Sequence, residues 1–130
     1  MKYILMMNGT KAGVDTYVAW SKKDIDAHLG VLHSIHKELT ESGEFVGTER
    51  LAAPGQARVV CGQKESMPAT DGIFPESKEF LLGYWIVEVE TPERAHAIAA
   101  RISVAPGPGG VPTNMPIEVR QVMSRSAQSS

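Results

Sequence analysis

Hydrophobic residues fall into a few runs separated by polar, glycine- and proline-containing stretches, and the spacing within each run names an element. Tyr3 to Met7 is apolar at consecutive positions, the pattern of a strand buried on both faces, and it stops at Asn8-Gly9. A loop containing Tyr17 and Trp20 follows. Ser21-Lys22-Lys23-Asp24 reads as a capping box with Asp in place of Glu, opening a helix to about Ser42 that Gly43 closes. Its apolar stripe is Ile25, Leu29, Leu32 and Leu39, with His36 set inside it between Leu32 and Leu39.

Residues 44–51 alternate and predict a second strand; Ala53-Pro54-Gly55 breaks it, and Ala57 to Cys61 makes a third. Residues 62–66 read as a hairpin turn, with 67–70 returning along the edge. The strongest strand signal is Leu82 to Val89. Thr91-Pro92-Glu93 supplies an N-cap, a first-turn proline and a first-turn acid to a second helix, whose buried face is Ala95, Ile98, Ala99 and Ile102. Residues 106–110 form a loop, Pro116 to Met123 a last strand, and 124–130 a frayed tail. The order is β-α-β-β-(β)-β-α-β in one α+β domain over residues 1–123. Two helices cover only one face of such a sheet. Strands apolar on both faces need a second cover, and a homodimer is the simplest one.

At 130 residues, with 42% hydrophobic and 22% charged content, the chain has the size and composition of a single globular domain. The net charge of -2 comes from mixed acids and bases, with no basic stripe to meet phosphates, which argues against nucleic-acid binding. The lone Cys61 reads as a small hydrophobe in a strand and is too few for a thiolate zinc site. The first apolar run is too short for a secretory leader and nothing reaches membrane-spanning length, so a cytoplasmic protein without membrane association is expected.

Several segments together carry a family resemblance: Lys2-Tyr3, Glu38-Leu39 with Gly43, Val46-Gly47-x-Glu49-x-Leu51, Thr70-Asp71-Gly72-x-Phe74-x-Glu76-x-Lys78-Glu79, Gly83-Tyr84-Trp85-Ile86-Val87 and Ile117-Glu118-Val119-Arg120. The chain resembles the YCII-related proteins, in the branch named for its Asp-Gly-Pro-Phe motif, over nearly its whole length. The resemblance implies a ferredoxin-like sandwich with an antiparallel sheet that pairs face to face as a dimeric α/β barrel. It also implies a cleft with a His–Asp pair, in proteins whose chemistry is mostly unassigned. An association with extracytoplasmic-function sigma factors is implied by gene neighbourhood. Two positions depart from the pattern: Ile73 stands where the motif has proline, and the relatives' helix histidine aligns with Leu32, with His33 and His36 nearby.

The candidate chemistry centres on residues 70–84. Asp71 before Gly72 is either an Asx-type turn or a general base at the sheet's mouth. Glu76 and Lys78 are two apart, on one side of an extended segment: a surface ion pair, or Lys78 holding an anionic group while Glu76 orients it. Phe74 and Tyr84 are candidate substrate contacts, and Tyr84 and Trp85 must point to opposite faces of one strand. His36 is either a satisfied core histidine or an acid–base group; His28 lies near its face and His33 on the other flank. The histidine spacings do not suit a helical metal site, and neither a metal nor a cofactor is expected. The leading expectation is a small cofactor-independent enzyme acting on an anionic or carbonyl compound, with Asp71 and His36 catalytic and Lys78, Glu76, Phe74 and Tyr84 binding substrate. The alternative is a non-catalytic ligand-binding or regulatory module.

Overall fold

Strand and helix signals of this kind assemble only if each element hides its apolar side, and the computed structural model, which describes residues 1–62, 66–69 and 78–124, shows how. The elements are β1 (Lys2–Thr10), α1 (Lys11–Val18), α2 (Lys22–Glu41), β2 (Phe45–Arg50), β3 (Arg58–Val59), β4 (Met67–Pro68), β5 (Glu79–Glu88), α3 (Pro92–Ser103) and β6 (Ile117–Gln121). Four strands form an antiparallel sheet in the order β2-β5-β1-β6. Its topology is that of a ferredoxin-like α+β sandwich.

Alternation divides the sheet into two unlike faces. Tyr3, Leu5, Trp85, Val87 and Val89 pack with Leu32, Ile35 and Leu39 of α2 and Ala95, Ile98, Ala99 and Ile102 of α3 in one core. Burying each of the larger aliphatic side chains contributes about 1.5–3 kcal/mol. On the other face Ile4 pairs with Ile86 and Met6 with Tyr84, all four only half-buried, and Glu118 and Arg120 border them on β6. The sequence pattern of strands apolar on both sides therefore resolves into a covered face and an open one.

Capping follows the local sequence. Ser21 accepts from the Asp24 backbone N–H and Thr91 from that of Arg94, each at 3.1 Å. Past the C-cap of α2, Gly43 takes a positive φ of 78°. Three expectations are corrected. Residues 11–18 are a helix, where a loop was expected: Thr10 caps it through the Gly13 N–H, but it buries no residue, so no apolar stripe announces it. The strand expected over 57–61 shrinks to β3, which pairs with β4 outside the main sheet. Cys61 is exposed, lying beyond that short pairing. Asp71, Phe74, Glu76 and the tail from residue 125 lie outside the described residues.

A two-bond ion pair ties the turn that leads into β2 to α3. Arg94 donates to both Glu44 carboxylate oxygens at 2.8 Å, and Ser42 Oγ adds a third bond at 2.7 Å. The guanidinium holds the Glu44 pKa down at about 2 against the ordinary 4.5. A depressed carboxylate contributes stability that is present above the ordinary value and lost as pH falls from 4.5 towards 2. Arg94→Ala is expected to cost about 1–2 kcal/mol at neutral pH, held below the full worth of a charged pair by the exposure of the arginine. Urea unfolding at pH 7 and pH 3 should show the variant's deficit shrinking in acid; a deficit independent of pH would remove the ion pair as its cause.

Candidate functional site

The sheet does not stay flat to its end, and that irregularity makes room. Met7 faces Gly83 but Asn8 faces Leu81, so β5 carries one extra residue, Leu82, at a bulge. Two glycines let the backbones close around it. A Cβ on Gly9 would lie 2.7 Å from Leu82 Cδ1, and one on Gly83 would lie 2.9 Å from the Glu49 carbonyl oxygen. Beyond the bulge the sheet, α1, α2 and the 107–116 loop diverge around a cleft of about 1200 Å³. Its walls are mostly apolar, with Met7, Leu29, Leu32, Trp20 and Trp85 among them, and histidines 28, 33 and 36 come from one helix. A volume of this size with few convergent polar groups is the form that small-molecule sites take.

His36 is half-buried where cleft meets core. The Trp85 indole N–H donates to its Nε2 at 2.7 Å, and the ring lies 5.4 Å from that of Phe45. An imidazole that accepts at Nε2 carries its proton on Nδ1. Burial, with repulsion from His33 as the lesser cause, lowers its pKa below the ordinary 6.5, so the neutral form is favoured.

His28 is the only buried polar or charged side chain among the described residues, 8% exposed. Its Nδ1 lies 3.0 Å from the Pro106 carbonyl oxygen, and the rings of Trp20 and Tyr17 stand roughly edge-on to it at 5.5 and 6.1 Å. The helix stripe is thus His28, Leu32, Ile35 and Leu39, a correction to the stripe of Ile25, Leu29, Leu32 and Leu39 with His36 inside. The spacing of i, i+4, i+7 and i+11 was present in the sequence and pointed to His28.

Of the six site residues expected from sequence, three lie among the described residues, and of those three His36 alone lines the cleft. Lys78 donates from Nζ to the Ala69 carbonyl at 2.9 Å, with the Phe80 ring centroid 5.3 Å away, and does not line the cleft. Tyr84 stands on the open face of the sheet, and Trp85 beneath the helices. Asp71, Phe74 and Glu76 fall outside the described residues. The residues that sequence reasoning missed, Tyr17, Trp20 and His28, belong to α1, its C-terminal turn and α2. Among the described residues no group of three or more His, Cys, Asp or Glu is placed to hold a metal ion, and no helix is long and apolar enough to cross a membrane. No curated protein matches the chain. The sequence model of the YCII-related domain matches residues 1–118, nine-tenths of the whole, and the protein belongs to that family.

Proposed function

We propose that the chain binds a small, largely apolar molecule in the cleft between α1, α2 and the bulged end of the sheet, and acts on it by acid–base chemistry without a cofactor. The observation that carries this reading is the cleft itself: an aromatic and aliphatic wall against which one helix sets three histidines. His36, with its Nε2 taken by Trp85, fits an auxiliary role that keeps the indole and the cleft wall in place. Asp71 enters through the family resemblance as the second acid–base group.

The test is a titration of ¹⁵N-labelled protein with small aromatic and carboxylate fragments, followed through the Trp85 indole N–H. Shifts at Trp85, Leu32 and His36 are expected from the same fragments, with Asp71→Asn leaving binding intact and abolishing any turnover found. Shifts confined to residues outside the cleft would overturn the reading.

We also propose that two copies pair through the open sheet face, because Ile4, Met6, Tyr84 and Ile86 form an apolar stripe across its two central strands. Light scattering is expected to give twice the chain mass of 14.1 kDa. Ile86→Lys places a charge in the centre of that stripe and is expected to weaken pairing by about a hundredfold or more. A wild-type monomer at high concentration would refute this.

A further inference from the structure

We infer that Leu82, seated on Gly9, is the residue that limits the size of the cleft's ligand. The inference rests on the cleft being a binding site, and adds to it the side chain that selects among apolar ligands.

Alternation along β5 puts Gly83, Trp85 and Val87 on the covered side of the sheet and Tyr84 and Ile86 on the open side. Continued back by one residue, it would put Leu82 on the open side too. The bulge turns Leu82 the other way. Gly9 follows Leu5 and Met7 on the covered side of β1, and Leu82 Cδ1 lies 2.7 Å from where a Cβ on Gly9 would stand. Leu82 and Gly83 therefore share one side of the strand, and the missing side chain of Gly83 leaves room for both.

The surroundings hold this seat in place. Leu82 O accepts the Leu51 N–H at 2.8 Å, and Ser103 Oγ donates to the carbonyl of Met115 at 2.7 Å. Met115 Cε lies 3.9 Å from the same point above Gly9, and Gly9, Leu82 and Met115 all line the cleft. Leu82 is half-buried, and neither it nor Met115 is among the core side chains or those packed against the core. Shortening Leu82 therefore widens the cleft without opening a void in the core. A methyl group on Gly9 does the reverse: it is fixed to the backbone, displaces the free end of Leu82 and turns it towards the cleft. Tyr17, Trp20 and Trp85 give the cleft flat aromatic surface, which suits a ring. Leu82 and Met115 give it a flexible aliphatic one, which suits a short alkyl end.

The test is a series of uncharged probes, benzyl alcohols carrying a para chain from methyl to hexyl. They are titrated into the wild type, Leu82→Ala and Gly9→Ala and followed through the Trp85 indole N–H. In the wild type each added carbon is expected to tighten binding about fourfold until the chain meets Leu82, and longer chains to bind more weakly. The favoured chain should lengthen by about two carbons in Leu82→Ala and shorten by about one in Gly9→Ala. In the double variant the Gly9 substitution should change nothing further, because the side chain it displaces is gone; an effect that survives there overturns the pairing. Leu82→Ala alone decides the matter even if the Gly9 variants fold poorly. If the probes shift Trp85 but the favoured length is the same in the wild type and Leu82→Ala, or the wild type shows no upper length, the role of Leu82 is overturned and the cleft reading stands. If no probe shifts any cleft signal in the wild type, both fall.

Discussion

Trp85→Ala is expected to destabilise the protein by about 3–5 kcal/mol, the usual cost of deleting a buried indole. That is a large share of the roughly 5–15 kcal/mol that holds a small domain together. Trp85 is 6% exposed, sits on a central strand between Leu5 of β1 and Thr48 of β2, and belongs to the core that α2 and α3 cover. It also borders the cleft, so its loss joins core and cleft in one void. Trp85→Phe separates packing from hydrogen bonding. It keeps most of the apolar volume and removes the donor to His36 Nε2, at an expected cost of about 1 kcal/mol because half-buried His36 can turn towards water.

The phenylalanine variant carries a pH signature. A base whose folded pKa lies below its unfolded value binds fewer protons folded than unfolded, so its stabilising effect is present above 6.5 and is lost as pH falls from 6.5 to the lowered folded value. His33, Phe45 and Trp85 are the groups set around His36. Without the indole N–H, protonation of Nε2 no longer costs a hydrogen bond. Urea midpoints at pH 7.5 and pH 5.5 should therefore differ less in Trp85→Phe than in the wild type. An unchanged or steeper loss in acid would show that the indole does not hold His36 neutral.

Gly83→Ala has the second largest expected effect, about 1–3 kcal/mol, from one added methyl group. The new Cβ would lie 2.9 Å from the Glu49 carbonyl oxygen and 3.6 Å from Arg50 Cα, both backbone atoms of the paired strand, which cannot turn aside as a side chain can. Relief requires β2 to shift away from β5, beside the Leu51 N–H bond to Leu82 O that holds the cleft's rim. Gly43→Ala is a control of another kind: it meets no atom within 4 Å and strains only a positive φ. Thermal melts of the two, with amide exchange at Leu51, check the account. Exchange at Leu51 no faster in Gly83→Ala than in the wild type would place the damage elsewhere.

The helices and strands with strong periodicity were legible because each hides one side against the same core. Ala95, Ile98, Ala99 and Ile102 are buried as their spacing requires, and Ser21, Gly43 and Thr91 cap where their chemistry places them. α1 was not legible, because it buries nothing and is defined by a cap and by what it faces across the cleft. The site suffered most. Sequence attention went to residues 70–84, where ionisable side chains gather, whereas the three histidines that line the cleft all come from α2. Tyr84 and Trp85 are adjacent in sequence and end on opposite sides of the sheet.

The sequence by itself determined the family, the strongly periodic strands and helices, the core face of α3, and two strands apolar on both sides, since these depend on local spacing and on which side chains avoid water. Only the tertiary structure decided that β5 bulges at Leu82, that α1 closes one wall of a cleft, and that His28 meets the carbonyl of Pro106, a residue 78 positions away. Those outcomes depend on which distant backbones come together, and no local pattern of apolar and polar residues encodes that distance.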